Sequence, residues 1–233
     1  DYPFELLQRL EEAGKNKEAS EVKKVAEMAN FIYIRQKGPL GNATQIYNAR
    51  EAIGDEPFIV LWGDDFVTTT NGKSRCQQLV EAYDRYNSTI LSVLRSKDPE
   101  DAKKFGFVAG KELEEDIMLV SGTVEKPGIG KAPSDLYIIG GLVFTPDIFE
   151  AIEEATRRIK DSGEVREIVY VDALNVLLEQ GRVMYAKEIV SGVFRDTGNK
   201  LAYLQTLVEM ACSREDIGEE FKAYLKKTVS QFK

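Results

Sequence analysis

The feature that most constrains the fold is a repeated alternation of short apolar segments and longer amphipathic ones along the chain. The short segments have the length and the aromatic and β-branched content of strands, as in FIVLW (58–62) and STILSVLR (88–95). The longer ones repeat apolar residues at helical spacing, as Ile148, Ile152 and Ile159 do. This alternation predicts an α/β fold with a mostly parallel mixed sheet.

Five other segments are expected to be strands: FIYIRQ (31–36), FGFVAG (105–110), IMLVSGTV (117–124), DLYIIGGLVF (135–144) and VMYAKEIV (183–190). A βαβ crossover is expected between 31–36 and FIVLW, through a helix that Asn42 caps and Gly54 ends. EIVYVDALNVLLEQG is ambiguous between strand and helix, and its length favours helix. Two helices, around 201–211 and 221–232, form a helical C-terminal extension.

Composition limits the classes of function. The 233 residues suit one large α/β domain or two small ones, and the apolar runs are too short to span a membrane. A formal charge of -8 opposes general nucleic-acid binding, which depends on clustered Lys and Arg. The charged, helical N-terminal pattern does not resemble a signal peptide, and the two cysteines do not make a disulfide framework. These features predict a cytoplasmic protein.

The chain contains no histidine. Ser-His-Asp hydrolysis, Cys-His proteolysis and His-ligated zinc or iron are therefore excluded as classes of site. The remaining carboxylate, amine, hydroxyl and backbone amide groups suit a hard cation such as Mg²⁺ and the binding of phosphates.

The stretch FIVLWGDD ends a strand in two acids, Asp64 and Asp65. Ligand sites of open α/β sheets lie beyond the carboxyl ends of strands, which makes these acids candidate metal ligands. A solvated turn explains the same pair, and adjacent acids also occur in polymerase palm domains and metal-dependent glycosyltransferases. Alternation along an extended chain separates the two side chains, so Asp65 is expected to be a solvated or locally hydrogen-bonded turn acid.

Two glycine-bearing loops and one charged pair remain open to more than one interpretation. GPLGNATQ and PGIGKAPS both lack the P-loop pattern, and KGPLG fits a strand-to-helix turn as well as a ligand cradle. In VEKP, Glu125 and Lys126 point to opposite faces, so that one could hold a sugar hydroxyl and the other a phosphate. Taken alone, VEKP is better explained by a surface turn ending in proline.

Eight motifs occur in one order: RQKGPLGNA, GDD, FGF, VEKP, APSDLYIIG, EIVYVDAL, DTGNKLAYLQ and GEEFKAYL. Together they resemble the bacterial UTP:glucose-1-phosphate uridylyltransferases of the sugar-nucleotide pyrophosphorylase superfamily, over nearly the whole chain. The resemblance implies one Rossmann-like (GT-A-like) nucleotidyltransferase domain over residues 1–233. It also implies synthesis of UDP-glucose and pyrophosphate from UTP and glucose-1-phosphate with Mg²⁺, and a homodimer or homotetramer.

Roles for individual residues follow from the same resemblance. Asp64 and Asp196 match the two carboxylates at the metal ion, and Lys126 matches the residue on the sugar phosphate. The substrate-binding positions matched are Gln36 and Gly41 for uracil, Gly106 and Gly140 for glucose through the backbone, and Glu125 for glucose hydroxyls.

Several positions depart from the family's pattern. Asn42 stands where these enzymes usually have His, Gly141 stands where Arg commonly follows the glycine, and Val169, Tyr170 and Val171 replace central residues of the motif EIQLTDA. The family's first strand and Gly-rich loop, GxGTRxxP, have no match. Because a missing strand would leave buried backbone groups unpaired, we expect that an N-terminal portion of the native protein is omitted. A metal-dependent glycosyltransferase and a non-catalytic regulatory subunit that binds a nucleotide sugar remain alternatives.

Overall fold

The computed structural model describes residues 3–232, and the chain divides into two compact units, Asp1–Gln36 and Lys37–Lys233. Residues 1, 2 and 233 of the predicted domain lie outside the described residues. The first unit contains helices α1 (Phe4–Glu12) and α2 (Asn16–Ala26), which bury Leu7 and Ala19.

The predicted strand at 31–36 is wrong, because this segment has no regular secondary structure. Its side chains Phe31, Ile32 and Tyr33 are exposed. A strand needs hydrogen bonds from a neighbouring strand, and none of the described strands pairs with this segment. The expected crossover from it to the GDD strand is therefore absent from the described residues.

The second unit contains nine strands, seven α-helices and one 3-10 helix (Pro99–Lys103) among its described residues. The strands are β1 (Phe58–Val60), β2 (Asp65–Thr69), β3 (Thr89–Arg95), β4 (Gly106–Glu114), β5 (Ile117–Glu125), β6 (Leu136–Ile138), β7 (Leu142–Phe144), β8 (Met184–Glu188) and β9 (Gly192–Asp196). The helices are α3 (Asn42–Asn48), α4 (Arg50–Ile53), α5 (Arg75–Tyr86), α6 (Asp147–Ser162), α7 (Tyr170–Glu179), α8 (Lys200–Ser213) and α9 (Gly218–Val229).

A seven-stranded sheet forms the centre of this unit, in the order β1-β7-β3-β6-β4-β5-β8, with a further pairing of β3 to β8. The mixed α/β architecture and the helical C-terminal extension are confirmed, but the expectation that most strands run parallel is wrong. Among the described strands only β3 and β8 pair in parallel. One of the antiparallel pairs has a local cause, because β4 and β5 are joined by a two-residue turn.

The core lies between the sheet and the helices that cover it. Strand β3 buries six of its seven residues, as its largely apolar sequence predicts. Helix α6 presents Ile148, Ile152 and Ile159 to the core, and α7 adds Leu174. The predicted helix over EIVYVDALNVLLEQG is confirmed as α7.

Two predicted elements differ in detail. The single helix expected from Asn42 to Gly54 is divided into α3 and α4 at Ala49. Gly41, not Asn42, occupies the N-cap, and the Asn42 side chain accepts a hydrogen bond from the Tyr170 amide instead. DLYIIGGLVF forms two short strands that both run antiparallel to β3, because the chain bends at residues 139–141, in the turn between β6 and β7, without reversing its direction.

Strands β2 and β9 form a separate antiparallel ribbon, which the sequence analysis did not predict. Its residues alternate poorly between apolar and polar, so hydrophobic patterning gives little signal for it. Within residues 3–232, none of the helices combines the length and the apolar character needed to cross a bilayer.

Candidate active site

The ribbon of β2 and β9 brings the two predicted metal-binding acids together. Asp65 lies directly opposite Asp196 in the ribbon, so Asp64 and Asp196 lie at the same end of it. The backbone oxygen of Asp64 accepts hydrogen bonds from the amide and the hydroxyl of Thr197, at 2.7 and 2.9 Å. The two acids, distant in sequence, are thus held side by side by backbone contacts.

The two carboxylates face one small space beside Gly198. A Cβ atom built on Gly198 would stand 2.8 Å from Asp64 Oδ2 and 3.3 Å from Asp196 Oδ1. Asp196 Oδ1 also accepts hydrogen bonds from the amides of Gly198 and Asn199, at 2.9 and 3.2 Å, which fix its orientation. Glycine at 198 therefore leaves open the space that both oxygens border.

Glu125, Lys126 and Gly106 form a second group of predicted site residues. Gly106 pairs with Glu125 across β4 and β5, and a Cβ on Gly106 would stand 3.0 Å from Glu125 Oε2. Lys126 Nζ lies 3.6 Å from Glu125 Oε1. Lys126 adopts a left-handed backbone conformation, with φ of 45°, and its amide donates to the Phe105 carbonyl at 3.2 Å. This turn places both charged side chains at the end of the strand.

Burial raises the pKa of Glu125 above its ordinary value, and the Asp172 carboxylate adds to this rise while the Lys126 ammonium opposes it. Tyr170 is buried at the start of α7, and burial raises the pKa of its hydroxyl, with smaller contributions from the carboxylates of Glu125 and Asp65. Tyr170 is thus within electrostatic range of Glu125 and of Asp65, the residue that follows Asp64.

Gly140 lies in the turn between β6 and β7 and contacts Asp65 rather than solvent. Its amide donates to Asp65 Oδ2 at 3.0 Å. Arg75, the first residue of α5, donates from Nη1 to Asp65 Oδ1 at 2.8 Å and to the Gly140 carbonyl at 2.6 Å. The expectation that Asp65 is a solvated or locally hydrogen-bonded turn acid is wrong. Its side chain is only 9% exposed, and its partners, Arg75 and Gly140, are 10 and 75 positions away.

The comparisons with known proteins agree on one family. The model of the nucleotidyl transferase family matches residues 2–212. A UTP–glucose-1-phosphate uridylyltransferase of Bacillus subtilis (strain 168) is 36% identical over 225 residues, which are 97% of this chain and 74% of that protein. A putative enzyme of the same name from Methanocaldococcus jannaschii is 31% identical over 98% of this chain and 76% of that protein.

This chain is a member of the UTP–glucose-1-phosphate uridylyltransferase family.

Solved structures with the same fold extend the comparison. A UTP-bound UDP-glucose pyrophosphorylase from Acinetobacter baumannii superposes with a TM-score of 0.83 at 25% identity, covering 100% of this chain and 77% of that one. A second pyrophosphorylase, complexed with UDP-glucose, superposes with a TM-score of 0.71 at 28% identity, over 92% of this chain and 73% of that one. The predicted nucleotidyltransferase fold of this uridylyltransferase is therefore confirmed.

The predicted uracil-binding residues of the uridylyltransferase lie in different units. Gln36 is the last residue of the first unit, whereas Gly41 belongs to the second. Gly41 has a φ of 128°, and a Cβ there would stand 2.1 Å from the carbonyl oxygen of Ile168. The Ile168 amide donates to Leu40, and its carbonyl accepts from Ala43, so this loop is held against the start of α7.

The departures from the uridylyltransferase pattern are structurally connected. Asn42 accepts the amide hydrogen of Tyr170, which links two of the altered positions directly. Gly141 faces the Arg75 side chain, whose Cδ and Nε would each stand 2.8 Å from a Cβ at position 141. Sequence reasoning did not identify Arg75, because a charged residue that opens a helix is ordinarily solvated.

Proposed function

We propose that this uridylyltransferase makes UDP-glucose and pyrophosphate from UTP and glucose-1-phosphate, with Mg²⁺ as its cofactor. The observation that carries the proposal is the convergence of Asp64 and Asp196 on the space beside Gly198. The proposal treats residues 1–233 as one nucleotidyltransferase domain, in keeping with a family match that extends over both units.

The residues beside Gly198 fit Mg²⁺. Asp64 and Asp196 would be the ligands, because a carboxylate oxygen of each borders the space beside Gly198. Mg²⁺ characteristically takes one or two carboxylates and completes its octahedron with water and substrate phosphates. When bound, it would neutralise the negative charge of the substrate phosphates.

The sugar phosphate would bind at the end of β5. Lys126 offers an ammonium to the phosphate of glucose-1-phosphate, and Glu125 offers carboxylate oxygens to the glucose hydroxyls. Gly106 supports Glu125, because a side chain at 106 would press on its carboxylate. Gly140 would contact glucose through its carbonyl oxygen, which has a second lone pair beside the one that accepts from Arg75. Gln36 and Gly41 would bind the uracil edge.

The reaction requires no covalent enzyme intermediate. A phosphate oxygen of glucose-1-phosphate attacks the α-phosphorus of UTP, a new P–O bond forms, and the bond to the β-phosphate breaks with release of pyrophosphate. The protein aligns the attacking oxygen opposite the leaving group and offsets the negative charge of the phosphates. Lys126 contributes to both tasks, because it holds the attacking group with a positive charge.

A pyrophosphate-release assay with UTP, glucose-1-phosphate and Mg²⁺ tests the proposal on the native protein, whose intact mass is measured first. We expect release that requires all three components. Binding of UDP-glucose with no release would instead support a regulatory subunit. Consumption of UDP-glucose without pyrophosphate exchange would support a glycosyltransferase. The proposed cytoplasmic location is checked by fractionating the source cells.

A further inference from the structure

Arg75 and Asp65 form a buried ion pair next to the candidate site. Their side chains are 7% and 9% exposed, and Arg75 Nη1 lies 2.8 Å from Asp65 Oδ1. Removing two charges from water is costly, and an apolar pair of similar volume is often at least as stable. A geometric role therefore explains this pair better than a contribution to overall stability does.

Both hydrogen-bonding groups of Gly140 are held by this one pair. Its amide donates to Asp65 Oδ2 at 3.0 Å, and its carbonyl accepts from Arg75 Nη1 at 2.6 Å. The position of residue 140 is therefore set by the two charged side chains, which leaves its peptide groups little freedom.

The two glycines of the turn make room for the pair. A Cβ on Gly140 would stand 2.2 Å from Asp65 Oδ2, and a Cβ on Gly141 would stand 2.8 Å from Arg75 Cδ. Gly141 also adopts a φ of 87°, where glycine is favoured, and its amide donates to Val60 of β1 at 3.1 Å. The guanidinium and the carboxylate thus occupy the space that side chains of the turn would otherwise fill.

The pair also connects two parts of the candidate site. Asp65 follows the proposed metal ligand Asp64 by one residue, and the turn at Gly140 is a proposed glucose contact. A shift of the Arg75 guanidinium would therefore move the sugar-binding turn relative to the acids.

We infer that the Arg75–Asp65 pair is a positioning device that holds the Gly140–Gly141 turn at the sugar side of the site and thereby sets selectivity for the sugar of the sugar phosphate. This inference rests on the proposed function, because it assigns a role within the same site. Arg75 acts through Gly140 and is a positioning residue, not a catalytic one.

The test compares Arg75→Met and Arg75→Lys with the native enzyme, using KM for glucose-1-phosphate and for UTP, kcat and the melting temperature. Arg85→Met is the matched control, since Arg85 lies on the same helix and its ion pair with Glu114 is exposed. We expect Arg75→Met to raise KM for glucose-1-phosphate by about tenfold or more, since small misplacements in a site cost rates of this order. KM for UTP should change by less than about twofold, a split that general destabilisation would not produce.

Sugar selectivity supplies a second measurement. The ratio of kcat/KM for glucose-1-phosphate to that for galactose-1-phosphate, its 4-epimer, should fall in both Arg75 variants and stay unchanged in Arg85→Met. If Arg75→Met does not fold, Arg75→Lys decides, because it keeps the buried charge on a differently shaped side chain.

Two results would overturn the inference, and they have different consequences for the proposed function. A lowered melting temperature with both KM values and the sugar ratio unchanged would show that the pair is only structural, and would leave the proposed function intact. Absence of pyrophosphate release by the native enzyme would overturn the proposed function and this inference together.

Discussion

Thr197 donates two hydrogen bonds to the backbone carbonyl oxygen of Asp64, one from its amide at 2.7 Å and one from its hydroxyl at 2.9 Å. Neither bond involves the Asp64 carboxylate, so together they fix the backbone of Asp64 beside β9 and leave its carboxylate available for the proposed metal. We expect Thr197→Val to raise the Mg²⁺ concentration needed for half-maximal activity by roughly 2- to 10-fold, the equivalent of one lost hydrogen bond. Thr197→Ser keeps the hydroxyl and should titrate like the native enzyme.

Asp64→Asn should abolish Mg²⁺-dependent pyrophosphate release while the fold survives. The amide keeps the shape of the side chain but removes a full charge from the pair that borders Gly198. Without metal, the variant should melt at the same temperature or slightly higher, because mutual repulsion between two carboxylates is gone. Asp55→Asn, at an exposed acid before β1, is the control. Full activity of Asp64→Asn would place the metal elsewhere.

The structure changes the expectation for Asp65→Asn. From the sequence, as a turn acid, Asp65 was expected to tolerate this substitution with little effect. Because Asp65 is the buried partner of Arg75, losing its charge leaves a guanidinium unpaired, which typically costs about 3–5 kcal/mol. We expect a clear drop in the melting temperature. A melting temperature equal to that of the native protein would show that the ion pair does not form in solution.

Lys126→Ala should reduce turnover more than it alters stability. Loss of a charge-assisted contact to the sugar phosphate costs roughly 1.5–3 kcal/mol, or about 10- to 100-fold in rate. Lys126→Gly is the matched variant, because the φ of 45° favours glycine and relieves backbone strain. The two variants should lose activity equally, with Lys126→Gly the more stable. Unchanged turnover in both would remove Lys126 from the site.

Glu125→Gln should make the protein more stable at neutral pH and less active. Burial raises the pKa of Glu125, so the fold favours the protonated carboxyl. The favourable contribution of Glu125 to the free energy of unfolding is therefore complete below about pH 4, which is the pKa of glutamate in the unfolded chain. It is lost as the pH rises through the higher pKa of Glu125 in the folded protein. Thermal melts from pH 4 to 8 should show the variant's advantage growing with pH.

The control for this pH series is Glu56→Gln, at an exposed position before β1. Its melting curves should follow those of the native protein at every pH. Kinetics at neutral pH should show a raised KM for glucose-1-phosphate in Glu125→Gln alone. A stability advantage that does not depend on pH would contradict the electrostatic explanation.

The uridylyltransferase should be a homodimer or homotetramer. Helix α9 and the residues after it leave Tyr224, Val229 and Phe232 exposed, while Phe221 and Leu225 are partly buried. Tyr224→Lys should lower the mass measured by light scattering at micromolar concentration, because it charges this apolar surface. Lys226→Glu, a charge change on the opposite side of α9, should not. A monomeric mass for the native protein would contradict the prediction.

The parts of the fold that were predictable are those where burial and periodicity agree. Strand β3 is apolar on both faces, and α6 has one apolar stripe, so each pattern matches its environment. The segment FIYIRQ has the same kind of pattern as β3, yet it is not a strand, because strand formation depends on a partner that sequence periodicity does not reveal.

Site residues that lie in recognisable motifs could be predicted from the sequence. Residues whose role depends on tertiary contacts could not. The resemblance identified Asp64 and Asp196 as a pair, and the structure places them together. Arg75 had no motif, and its importance comes from Gly140, a residue 65 positions away. Only a three-dimensional arrangement shows that a charged residue at a helix start is buried.

The β2–β9 ribbon has a consequence for the order of folding. It joins Asp64 to Thr197, residues 133 positions apart, and the intervening chain contains most of the central sheet. Contacts between such distant residues form slowly, because the entropy of closing a long loop is lost before the contacts stabilise it. The acids are therefore expected to meet only after the sheet has assembled, so the proposed cation site would be completed late in the maturation of a nascent chain.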